Sequence, residues 1–242
     1  MRNLMKSKFG IDGAILKIIA IVSMTIDHMA VAFTSLFSSG VMDVDMYFLA
    51  RKIGRIAFPI YCFLIAQGMV KSKNKIRYMV TLGVFALISE IPFNLVINNC
   101  YFSLRMQNVM FTLLIGALVI YGMQKVEEII ARDKLIQLMT QIAIVILGIY
   151  LADFMKTDYA GFGVLIIAVF YMYRDRFWIS AIVCAVILYY MGGVEVYAII
   201  SLAILAFYNG KRGKQYKYLG YIYYPAHLLL LYIIVKVMFS YR

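Results

Sequence analysis

Long apolar runs separated by short polar interruptions dominate the chain. Nine apolar segments can be marked, at roughly residues 15–37, 51–70, 77–97, 107–123, 135–152, 160–173, 177–191, 194–208 and 220–239. A helix needs about 20 apolar residues to cross a hydrocarbon core about 30 Å thick, and most of these runs suffice. The sixth to eighth are short for that thickness, which implies tilt, local thinning of the bilayer or a re-entrant course. A transmembrane β-barrel would show shorter segments of alternating polarity instead. The pattern therefore predicts an all-α, polytopic transmembrane helical bundle of about nine spans. It forms one integral-membrane domain over residues 15–239, preceded by a cytoplasmic segment, residues 1–14. The longest loops hold only about a dozen residues, so any chemistry must occur in or beside the membrane.

Composition agrees. Of 242 residues, 64% are hydrophobic and 15% charged, against about 45–50% and about 25% in a soluble domain. Such a chain could not cover its surface in water, and 15% aromatics argue against disorder. Lys and Arg number 24 against 12 Asp and Glu, a net charge of +12. With the N-terminus inside, the inner segments carry 17 of these basic residues and the outer ones 7. That bias reads as N-in and C-out in the cytoplasmic membrane. It also explains the charge without nucleic acid, because the aromatics lie inside apolar runs and not on a basic face. The basic N-terminus (Arg2, Lys6, Lys8) leads into an apolar stretch too long for a removable signal, so the first span is expected to stay. Cys62, Cys100 and Cys184 match no metal or redox spacing, and Cys62 and Cys184 read as packing residues.

Ionisable groups inside spans cost about 2.5–3.5 kcal/mol each on insertion scales and are functional candidates. They are Asp27 and His28 in SMTIDHMA, Arg55 in GRIAFP, Glu90 in SEIPFN, Asp153 in LADF and His227 in YYPAHLLLLY, with Gln107 and Asn108 opening the fourth span. His28 lies about 20 Å along the first span, past the midplane. Arg55, Glu90, Asn108 and Asp153 also fall in the outer half, so five spans place polar groups at one level. Each has a structural alternative. Asp27 or Glu90 could pair with Arg55, Asn108 could bridge helices, Asp153 could cap the outer end, and His227 could be a packed histidine. Adjacent helical residues point about 100° apart, so Glu90 or Asp153 could orient His28 while Asp27 serves another partner. Two histidines at opposite depths and no HExxH-like pair leave no expected metal site. There is no G-x-S-x-G elbow and no Gly-rich phosphate loop. The loops KSKNKIR (71–77) and NGKRGKQYK (209–217) either set topology alone or form an anion-binding mouth.

The blocks LKIIAIVSMTIDHMA, IGRIAFPIYCFLIAQG, ALISEIPFNL, MQNVMFTLLIGAL, DYAGFGVL and KYLGYIYYPAHLLLLY together resemble the TraX family, over roughly residues 14–235. That family is named after an F-pilin N-acetylase of conjugative plasmids and is grouped with polytopic acyltransferases. The resemblance implies acyl transfer, acetyl above all, from cytosolic acetyl-CoA to an acceptor at the outer face. The acceptor is left open between peptide, glycan and small molecule. The family's motif residues correspond to His28, Arg55, Glu90, Asn108 and His227; Asn94 stands where relatives often carry Asp. On this reading His28 is general base or acyl carrier, and Asp27, Glu90 and Asp153 accompany it. Arg55 or Asn108 stabilises the oxyanion. His227, with Lys71, Lys75, Arg77, Lys211 and Lys214, lines the donor entrance. His227 lies roughly 10 Å from the inner face, on the other side of the midplane, so no direct contact with His28 is expected. The competing readings are a small secondary transporter or proton-coupled permease built on the same acids and histidines, and an accessory protein whose polar groups only join helices.

Overall fold

A computed structural model describes residues 10–34, 43–214 and 218–240. Arg2, Lys6, Lys8, the end of the first apolar run, Lys217 and Arg242 lie outside them. The helices are α1 (Gly13–Ala32), α2 (Val44–Gly54), α3 (Ala57–Lys71), α4 (Lys75–Ile97), α5 (Val109–Ile129), α6 (Lys134–Phe154), α7 (Ala160–Met172), α8 (Phe177–Met191), a 3₁₀ segment Gly193–Ile199 leading into α9 (Ile200–Ala206), and α10 (Leu219–Ser240). Among the described residues there is no strand, only two isolated bridges, Ile11 with Tyr208 and Gln107 with Thr157. The chain is thus all-α.

Six helical stretches are long and apolar enough to cross a membrane: Gly13–Ala32, Val44–Lys71, Lys75–Ile97, Val109–Ile129, Lys134–Phe154 and Leu219–Met238. Ala160–Met172, Phe177–Met191 and Gly193–Ala206 are shorter. The second stretch begins at Val44 and not near residue 51, because α2 carries three charges that mask its helicity in an apolar count. Polar side chains start the helices where the apolar runs begin. Asp12 Oδ1 accepts from Ala14 N and Ile15 N, Asn74 Oδ1 from Arg77 N, Asn108 Oδ1 from Met110 N and Asp133 Oδ1 from Leu135 N and Ile136 N. Each satisfies donors that the first turn leaves orphaned.

The core gathers around α7, where Val164, Ile166, Ile167 and Ala168 are fully buried against α3, α5, α6 and α8. α10 packs on α4 and α1. α6 keeps Ile142, Ile146, Leu147 and Tyr150 exposed, an apolar outer face that suits lipid. Two ends of the bundle are closed by backbone. At one, Ile11 and Gly13 pair with Phe207, Asn209 and Lys211, and Lys71 Nζ reaches Gly210 O at 2.8 Å. At the other, Gln107 pairs with Lys156 and Asp158.

Candidate active site

An ion cluster and a histidine pair share one turn of α1. Arg51 and Arg55 are one turn apart, the second at the break between α2 and α3, and both reach Asp27. Asp27 Oδ2 accepts from Arg55 Nη2 at 2.6 Å and from Arg51 Nη1 at 2.7 Å. Arg55 Nη1 donates to Glu195 Oε1 at 2.8 Å and to the Tyr159 hydroxyl at 2.9 Å. Asp27 is 6% and Arg55 7% exposed, so these are desolvated charges held by one another and by Arg51, Glu195 and Tyr159. Gly54 makes the approach possible: a Cβ there would lie 2.2 Å from Asp27 Cβ. Tyr159 is fixed by stacking on Phe58. Beside it, in the turn before α7, burial pushes the Asp158 carboxyl up to about 6, against the opposing pull of Arg55. Asp27 therefore takes the Arg55 alternative. Glu195 and Tyr159 were missed from the sequence. The signal for Glu195 was a lone acid in GGVEVYA at the head of a short apolar segment.

His28 points away from Asp27, as consecutive helical residues must, and meets His227. Its Nδ1 is 2.7 Å from His227 Nε2, with the rings end to end and nearly coplanar, their centroids 5.0 Å apart and their planes 13° apart. His227 is 5% exposed. Its Nδ1 lies 2.8 Å from the Tyr223 carbonyl oxygen. The Tyr223 ring stacks on His227 at 4.9 Å, and its hydroxyl is 2.7 Å from Thr25 Oγ1. Tyr224 meets His28 edge-on at 6.0 Å. The expectation that His227 lies far from His28 is thus corrected. It came from counting residues from each predicted span start, about 10 Å for His227 and about 20 Å for His28. That count assumes the starts lie in one plane. The Thr25–Tyr223 and His28–His227 contacts show α10 set deeper, with long side chains closing the difference.

These bonds fix the tautomers of the neutral pair. A carbonyl only accepts, so His227 Nδ1 carries its proton and His227 Nε2 is a lone pair. His28 Nδ1–H then donates to it, which leaves His28 Nε2 as a free lone pair, the form a general base requires.

The remaining candidates fall elsewhere. Glu90 accepts from Asn94 Nδ2 at 3.0 Å and from Asn108 Nδ2, while Asn108 also caps α5. Neither bonds to His28 or Arg55, so Glu90 is not the Arg55 partner. Asp153 Oδ1 accepts from Gly161 N at 2.7 Å and pins the first turn of α7. It does not orient His28. Among the described residues no three His, Cys, Asp or Glu side chains group as metal ligands.

At the end closed by residues 11–13 and 207–211, a cavity of about 620 Å³ opens between helices. Lys17, Lys71, Lys73, Arg77 and Arg212 line its mouth, and Tyr61, Leu64, Gln67, Met110 and Leu113 line its depth. Lys71 Nζ also touches the Tyr208 hydroxyl at 3.1 Å, and Arg77 Nη2 the Tyr218 hydroxyl at 3.3 Å. Of the donor-entrance candidates, Lys71 and Arg77 are in this lining. Lys75 instead borders a smaller pocket beside Glu127, Glu128 and Arg174. Lys211 and Lys214 are exposed on the loop outside the lining, and His227 belongs with His28.

Long apolar helices with lipid-suited faces, enclosing buried ion pairs, define a multi-pass membrane protein. It belongs to the TraX family: the family model described as TraX protein matches residues 12–235. The chain is also similar to the probable fimbrial assembly protein FimC, serogroup H1, of Dichelobacter nodosus, at 27% identity over 240 residues, covering 89% of this chain and 92% of the relative. No solved structure matches it.

Proposed function

We propose that the chain is an acyltransferase of the cytoplasmic membrane, N-in and C-out with nine spans, which moves an acetyl group from cytosolic acetyl-CoA to an acceptor at the outer face. The observation that carries this reading is the His28 Nδ1–His227 Nε2 bond, which leaves His28 Nε2 as a base inside the bundle. His28 Nε2 takes the proton of the acceptor amine or hydroxyl as that group attacks the thioester carbonyl. The new C–N or C–O bond forms, the C–S bond breaks, and His28 returns the proton to the departing thiolate. The basic cavity mouth fits the phosphates of the donor, a polyanion steered in from the cytosol. The positive-inside bias supports a cytosolic position for that mouth. Arg55 is a positioning residue: its terminal nitrogens are committed to Asp27, Glu195 and Tyr159, and they hold the turn of α1 that carries His28. The likeness to a probable fimbrial assembly protein supports a pilin-like protein as acceptor.

The test is release of thiol from acetyl-CoA by the purified protein in vesicles, with pilin-type peptides bearing free amines as acceptors. His28→Ala should lower the rate at least about a hundredfold while inserting normally. A near-native rate in that variant would remove His28 from the reaction.

A further inference from the structure

Along α3, four side chains that line the basic cavity fall on one face at helical spacing: Tyr61, Leu64, Gln67 and Lys71. Read from the mouth inward, they present an ammonium, an amide, an aliphatic group and a phenol. Gln67 lies about 6 Å inward of Lys71, and Tyr61 about 9 Å further. Gln67 is 5% exposed, yet its Oε1 has no hydrogen-bond partner. A buried amide oxygen without a donor is costly. Here no helix packed against α3 supplies one, so Gln67 is not joining helices. Its neighbour Gly68 lets the Tyr78 ring, another lining residue, pack directly on α3: a Cβ there would lie 2.7 Å from the Tyr78 hydroxyl.

We propose that Gln67 is a donor-recognition residue whose terminal amide, turned by half a rotation to bring its closed-off, orphaned oxygen to the cavity, accepts an amide N–H from the arm that joins the donor's phosphates to its thioester. The order of groups on α3 matches a ligand with a polyanionic head, an amide-bearing chain and a reactive end beyond it. The inference rests on the acyl-donor reading above and deepens it. It assigns the amides of the arm, and not only the phosphates, a protein partner. Gln67 touches the donor away from the reacting atoms, so its effect belongs in binding and not in the chemical step.

The experiment measures binding to the purified protein in detergent with two probes: coenzyme A, and its 3′-phosphoadenosine 5′-diphosphate fragment, which lacks the arm. Gln67→Leu should weaken coenzyme A about tenfold and leave the fragment unchanged. Fragment binding doubles as the check that the variant folds. Gln67→Asn, which keeps the amide one methylene short, should fall between. Equal weakening of both probes would mean that Gln67 only shapes the cavity and would overturn the proposal. Unchanged coenzyme A binding in both variants would overturn it while leaving the donor reading intact. A wild-type protein that binds neither probe would overturn the donor reading and this proposal together.

Discussion

Replacing Gly54 by alanine tests the close approach on which the ion cluster depends. The new methyl would lie 2.2 Å from Asp27 Cβ, 2.4 Å from Oδ1 and 2.6 Å from Cγ. Carbon atoms pack comfortably at about 3.5–4.0 Å, so α1 and α2 must part locally by about 1.3 Å. Asp27 Oδ2 now sits 2.7 Å from Arg51 and 2.6 Å from Arg55. A shift of that size stretches both bonds to about 4 Å, well past hydrogen-bond range. Arg51 is partly exposed and can follow. Arg55 cannot, because Glu195 and Tyr159 hold it from the other side. Parting a buried charge from its partner costs about 3–5 kcal/mol, offset by about 1 kcal/mol of helix propensity gained over glycine. A net loss of about 2–4 kcal/mol lowers the melting temperature by roughly 5–15 °C in a chain of this size. Thermal unfolding in detergent, followed by intrinsic fluorescence, reads this directly. Gly83→Ala is the control, since its Cβ would meet only Leu114 Cδ2 at 3.5 Å, an ordinary contact. It should melt at or slightly above the wild type. If Gly54→Ala melts within about 2 °C of wild type, the packing argument is wrong.

The other predictions address single residues. His227→Leu removes the acceptor for His28 Nδ1–H and should cut transfer about a hundredfold, whereas His227→Gln, which offers a carbonyl oxygen, should recover part of it; equal rates in wild type and Leu variant would dismiss the relay. Asp153→Ala should lower stability by about 1 kcal/mol through the lost bond to Gly161 N and leave the catalytic rate alone; a large fall in rate would return Asp153 to the site. The Asp158 carboxyl, raised from 3.8 to about 6, binds its proton more tightly folded than unfolded. Stability should therefore fall as pH rises from about 4 to about 6, and Asp158→Asn should flatten that slope in melting curves. An unchanged slope would count against the burial of this group.

Helices were legible because two signals coincide: apolar runs, and polar caps such as Asp12, Asn74, Asn108 and Asp133 at their starts. The shared level of His28 and Arg55 was legible for the same reason, since each lies a countable distance from a helix end. Partnership was not. Asp27 and Glu90 were equal candidates for Arg55, and the choice depends on Gly54 letting α1 approach α2. The Glu90–Asn94 pair, four residues apart, was a local hint that Glu90 already had company. His227 was misplaced because helix stagger is a tertiary property that no run length records. Tyr159 sits in a turn between two marked runs, and Glu195 sits in a 3₁₀ segment at the very start of the run 194–208, where an acid reads as a helix-end residue and not as an intramembrane charge.

Keeping the ion cluster and the histidine pair on separate faces of one helical turn has a chemical consequence on the acyl-transfer reading. Arg51 and Arg55 are paired with Asp27 and Glu195 in the cluster, which supports α1 through its own ion pairs. His28 bonds to no carboxylate. The proton it takes from the acceptor is shared with the neutral His227, whose own Nδ1–H is tied to a backbone carbonyl. A carboxylate in that place would trap the proton by charge. A neutral partner orients the base equally well but lets the proton leave, which a base that must hand it on to a thiolate within the same turnover requires. Introducing a negative charge here, as in His227→Glu, should therefore preserve proton uptake and slow its return. The acyl-transfer reading then expects the rate-limiting step to move from attack to thiol release, detectable as a burst of acylated acceptor ahead of free thiol. Wild-type progress curves in that variant would show that the neutrality of the pair is incidental.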